Sequence, residues 1–114
     1  MNYSGEYQYK GLWGCNCICY LEVQDHLVIA TELDQNQGTS ITNFAEHLAT
    51  QVCDQFNIPK NQLVWIEHYP DSHYRSEEYD LVTFTLVNGI FKKPQWRPLT
   101  AVEKLAWLPA RGMA

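Results

Sequence analysis

Apolar residues fall at Ile41, Phe44, Ala45, Leu48, Ala49, Val52, Cys53 and Phe56, repeating at i, i+3, i+4 and i+7 without a break. At 3.6 residues per turn these positions form one stripe. The opposite side carries Asn43, Glu46, His47, Thr50, Gln51 and Asp54. A helix with this pattern must bury one face and keep the other wet. Ser40, Thr42 or Asn43 can cap its start, Asn43 and Glu46 have capping-box spacing, and Asn57-Ile58-Pro59 stops it.

The rest of the chain offers strands to bury that face. Cys15 to Val23 and Leu27 to Leu33 read as a hairpin around Gln24-Asp25-His26, and Glu6 to Lys10 reads as a further strand. Gly11 and Gly14 mark a bend between them. After the helix, Leu63–Tyr69 and Tyr79–Val87 are strand-like, the second alternating Val82, Phe84 and Leu86 with Leu81, Thr83 and Thr85. Thr100 and Glu103 have capping-box spacing and open a short helix to about Leu108, ended by Pro109. Segment 88–114 otherwise reads as a less regular, basic C-terminal region. The expected order is β(β)β-α-ββ-α. It implies an α+β fold of two layers, with an antiparallel sheet of four to five strands, one long helix on one face and a short C-terminal helix.

A chain of 114 residues is one domain, expected over 1–114, and long enough to fold without disulfide or metal staples. Apolar residues are 46% and charged residues 18%, a globular composition. No apolar run is long enough for a membrane span, and the opening MNYSGEYQYKG has no export-signal pattern. The expectation is a cytoplasmic protein with reduced thiols.

The formal charge of −5 is uneven. Residues 1–60 hold two basic and seven acidic groups, whereas 91–114 hold five basic groups against Glu103 alone. An acidic body argues against general nucleic-acid binding, which needs clustered Lys and Arg. The basic end leaves room for a local anionic contact.

Three stretches invite chemical readings. In WGCNCICYLEV, Cys15, Cys17 and Cys19 share one side of a strand with Trp13 and Leu21. Their Cα atoms are spaced about 6.6 Å apart with parallel Cβ vectors, which suits neither a disulfide nor tetrahedral zinc. Packing thiols are expected, with Cys15, Cys17 and Cys19 the positions at which to test for metal and no cofactor implied. In EHYPDSHYRSEEYD, His68 and His73 lie near Glu67 and other carboxylates, the ingredients of acid–base catalysis. No established catalytic or ligand spacing is present, so Glu67, His68 and His73 are candidates to test. Thr39 and Ser40 precede the long helix, where free N–H groups attract anions, yet the segment lacks a P-loop pattern and capping accounts for it.

Seven Tyr and four Trp residues combine apolar bodies with polar tips and suit contact surfaces. Trp13, Trp65 and Trp96, with Thr39 and Ser40, are the candidate binding residues. The functional expectation is a small non-catalytic binding or accessory module acting through an aromatic-rich surface, with a protein partner or a second copy of itself. Two alternatives are a small hydrolase or metal-assisted phosphodiesterase using the 67–80 loop, and an acidic decoy of a nucleic-acid-binding protein.

Overall fold

The computed structural model describes residues 2–10, 16–32, 41–69 and 78–108. Its strands are β1 (Asn2–Lys10), β2 (Asn16–Gln24), β3 (Leu27–Glu32), β4 (Val64–Tyr69), β5 (Glu78–Val87) and β6 (Ile90–Pro98). Its helices are α1 (Ile41–Phe56) and α2 (Ala101–Trp107), with a 3₁₀ turn at Lys60–Gln62. The strands form one sheet in the order β1-β2-β3-β4-β5-β6. The fold is α+β, as the sequence implies, but the sheet differs in three ways.

First, it has six strands, not four or five. The extra one is β6, in the region expected to be irregular. Asn88 (φ 53°) and Gly89 (φ 76°) form a two-residue turn with both central residues left-handed, which returns the chain directly onto β5. Segment 90–98 is thus a regular part of the sheet.

Second, the sheet is mixed. β3 and β4 are parallel, Leu27 opposite Val64 and Thr31 opposite His68, while every other pairing is antiparallel. A parallel pair requires a crossover, and α1 supplies it. β3, α1 and β4 therefore form a parallel βαβ unit within a sheet that the sequence implies to be antiparallel.

Third, both faces are partly covered. Under α1, Leu48, Ala49, Val52, Cys53 and Phe56 pack on Tyr7, Tyr9, Cys19, Leu21, Val28, Ala30 and Trp65. Each fully buried large side chain among these contributes roughly 1.5–3 kcal/mol relative to exposure. On the other face, Leu27, Ile29, Ile66, Leu81 and Leu99 form a smaller cluster, joined by Trp107 and Leu108 at the end of α2.

The helix ends follow from local chemistry. Asn57 (φ 57°) takes the left-handed position after α1, and Ile58 N–H donates to Cys53 C=O at 3.0 Å, closing a Schellman turn. Ile58 is itself buried, so the same residue ends the helix and joins the core. At α2, Glu103 N–H donates to Thr100 Oγ1 (3.1 Å) and Thr100 N–H to Glu103 Oε1 (2.9 Å), the reciprocal capping box that its sequence implies.

Candidate functional site

β3 and α1 are joined by 33–40, and β4 and β5 by 70–77, at the carboxyl end of the parallel pair. This is where open α/β sheets usually place ligands. Here Glu67 lies on the α1 side of β4, directly opposite Asp80 of β5. Tyr69 Oη donates to Glu67 Oε2 at 2.5 Å. Burial pushes the Glu67 pKa above the usual carboxylate range; Tyr69 and Trp96 oppose the shift and the Asp80 charge adds to it. Burial, a neighbouring acid and a phenol make this a candidate acid–base centre.

Its cleft is small. Cys19, Ala30, Ala45, Leu48, Trp65 and Tyr69 close around Glu67, with the neighbouring residue His68 at the margin, leaving a cavity of about 20 Å³. That is room for about one water molecule. The described residues thus place a protonatable carboxylate beside a water-sized space.

His68 lies on the opposite face. Its Nδ1 is 3.1 Å from Thr31 Oγ1, and its ring stacks on Tyr79 with centroids 4.5 Å apart and planes 7° from parallel. The parity it shares with Val64 and Ile66 puts it at the margin of the smaller core. His73 lies outside the described residues, as do Trp13, Cys15, Thr39 and Ser40.

For the other thiols, β2 includes Cys17, paired with Tyr9, and Cys19, paired with Tyr7 and Glu32. Cys19 is 1% exposed, and its Sγ–H points at Tyr7 C=O, 3.7 Å away. Cys53 is a second buried thiol in the same core, and burial pushes its pKa up to about 11. Among the described residues no three His, Cys, Asp or Glu side chains converge as metal ligands would.

The aromatic candidates divide. Trp65 is 1% exposed and belongs to the core, with an indole Nε1 that has no hydrogen-bond partner among the described residues. Trp96 is half-buried beside Glu67. The larger exposed apolar side chains are mostly aliphatic: Leu86, Val87 and Ile90 at the β5–β6 turn, and Val102 and Leu105 on α2.

A second and larger cleft adjoins this relief. β4 begins at Val64, whereas β5 runs on from Thr83 to Val87, so the β5–β6 hairpin overhangs the sheet. The notch beneath has a volume of about 360 Å³; its apolar lining includes Leu63, Val64, Leu81, Leu86, Phe91 and Trp107, and its polar lining Asn61 and Thr83. Lys60 braces it, its Nζ donating to Gly89 C=O at 2.8 Å and lying 5.8 Å from the Phe91 ring centroid. Sequence reasoning missed this site because its walls are ordinary apolar strand residues; only the turn at Asn88-Gly89 hinted at the overhang.

These features define an α+β domain with a mixed six-stranded sheet, an acidic pocket at one end and an apolar notch at the other. Comparison with known protein families, curated proteins and solved structures finds no match to this chain. No helix among the described residues is long and apolar enough to cross a membrane.

Proposed function

We propose that this chain is a non-catalytic binding module that seats an apolar, acidic peptide segment of a partner protein in the notch beneath the β5–β6 hairpin. The observation that carries this reading is the notch itself: its walls are mainly apolar, with Lys60, Asn61 and Thr83 among them, and Leu86 on its wall and Val87 and Ile90 at the hairpin tip are 37%, 48% and 53% exposed. Exposed apolar side chains around a cleft on a small domain mark contact surfaces. The charge of the surroundings selects the partner. Lys60, Lys92, Lys93 and Lys104 lie on the elements that frame the notch, and the one acid of α2, Glu103, is already engaged by Arg97 at 2.7 Å. Acidic residues flanking an apolar anchor complement this arrangement.

Selection of random peptides displayed on phage against the intact protein tests the proposal. Enriched peptides should combine aromatic or aliphatic anchors with Asp or Glu, and should lose binding to Leu86→Glu. Peptides without that composition, or binding that Leu86→Glu leaves intact, contradict it.

The Glu67–Asp80 pocket favours a second reading, a small hydrolase in which Glu67 acts as acid or base. Its raised pKa supports the proton-transfer role. Turnover of ester or phosphodiester model substrates that disappears in Glu67→Gln supports the hydrolase; absence of turnover across such substrates opposes it.

A further inference from the structure

We propose that two copies of this chain join through their β1 edges, antiparallel about Gln8, to make one continuous twelve-stranded sheet. Among the described residues β1 and β6 are the two edges of the sheet, and they are built differently. β6 carries Lys92, Lys93 and Pro94 near a register shift between Thr83 and Thr85, with Lys93 at φ 52°. Charges, proline and bulges are the devices that stop an edge strand from pairing further. β1 runs nine residues without proline or register shift.

The direction of the free groups on β1 follows from the turn two strands away. The two-residue turn at Asp25-His26 closes on Gln24 opposite Leu27, which makes that pair hydrogen-bonded. Alternation then aims the backbone groups of Glu22, Tyr20 and Ile18 at β3, and those of Val23, Leu21, Cys19 and Cys17 at β1. Their partners Tyr3, Gly5, Tyr7 and Tyr9 are consumed in that ladder. The N–H and C=O groups of Ser4, Glu6, Gln8 and Lys10 therefore point outward. One observation agrees independently: Tyr3 Oη reaches Glu6 C=O at 2.5 Å, a carbonyl that the ladder does not use. A carbonyl oxygen has a second lone pair and can still accept from another strand.

Of the antiparallel registers open to these outward groups, only that about Gln8 sets opposite charges face to face, which favours it and a second copy as the occupant. Pairing about Gln8 sets Glu6 opposite Lys10 of the second copy, twice, with Gln8 opposite Gln8. Pairing about Glu6 sets two carboxylates face to face, and pairing about Lys10 sets two ammonium groups so; like charges directly opposite are destabilising. The two-fold axis then runs perpendicular to the sheet and leaves both α1 helices on one face. The pairing is independent of the notch, which lies at the β5–β6 side of the sheet. A monomer overturns the pairing and leaves the peptide-binding reading standing.

Sedimentation equilibrium of the intact protein, from micromolar to submillimolar concentration, is the test. Wild type should dimerise reversibly. Glu6→Lys, which replaces both attractions by repulsions, should weaken the dimer at least about tenfold, and adding Lys10→Glu to it should restore the wild-type constant. Gln8→Pro removes an outward donor without touching the β1–β2 ladder and should give a monomer with unchanged circular dichroism. A monomeric wild type overturns the proposal. So does a dimer that ignores Glu6→Lys and Gln8→Pro, or one that the charge swap fails to restore.

Discussion

Glu67 and His68 are consecutive residues of β4 that serve opposite faces of the sheet: the Glu67 carboxylate lies beneath α1, and the His68 imidazole stacks on Tyr79. Strand alternation alone produces this separation. Adjacent letters that look like an acid–base pair therefore belong to two environments and cannot exchange a proton directly. The finding shifts attention from the histidine to the carboxylate, whose pocket has the more perturbed chemistry.

The raised Glu67 pKa makes stability depend on pH. Folding favours the protonated form, so the contribution of Glu67 is full below its unfolded value of about 4.3. It is lost as pH rises through the higher folded value. Glu67→Gln should remove that dependence. Urea midpoints of the two proteins should converge at low pH and separate toward neutrality, with Glu67→Gln the more stable. Parallel curves across the range contradict the shift.

Glu103 behaves in the opposite sense. The Arg97 guanidinium binds its carboxylate through two hydrogen bonds, at 2.8 and 2.7 Å, and together with the Thr100 N–H holds its pKa at about 2. The ordering it gives α2 is present above the unfolded value of about 4.3 and is lost as pH falls through the folded one. Amide protection factors in 101–107, taken against the intrinsic exchange rate at each pH, should therefore fall between pH 4 and 2 ahead of those in α1. Thr100→Ala should remove the cap at a cost of about 1 kcal/mol at neutral pH.

Gly89 has φ 76° with no atom within 4 Å of where a Cβ would stand. Substitution by alanine meets only the backbone penalty of the left-handed region. Thermal unfolding of Gly89→Ala should report a loss of about 1–2 kcal/mol, and Asn88→Gly a much smaller change. The same loss should loosen the hairpin that overhangs the notch and weaken the proposed peptide binding.

The buried thiols should be inert. Cys53, with a pKa near 11, is almost wholly protonated at neutral pH, and Cys19 is sealed beneath the helix. Alkylation by iodoacetamide, read by peptide mass spectrometry, should modify both only after denaturant is added. Rapid labelling of either in the native protein contradicts their burial.

Parts of this architecture were legible in residue spacing. The α1 stripe, its stop at Asn57, the hairpin turn at Asp25-His26 and the Thr100–Glu103 box each rest on local chemistry that three or four residues express. Two errors had physical causes. Lys92, Lys93 and Pro94 resemble a broken segment, yet they are what a protected edge strand requires, and the Asn88-Gly89 turn outweighs them. Parallel pairing of β3 with β4 is a long-range choice that no local pattern encodes; Leu27–Glu32 and Val64–Tyr69 read identically in either direction. The apolar notch was illegible for the same reason, since it exists only because β5 runs past the start of β4.

The central claim is that the working surface is the notch, not the acidic pocket. Proton–nitrogen correlation spectra recorded while adding a selected acidic, apolar peptide test it most directly. The account predicts shift changes concentrated at Lys60–Val64, Leu86–Phe91 and the Trp107 indole. Changes centred on Glu67, Tyr69 and Asp80, with the hairpin and Trp107 unmoved, would contradict it.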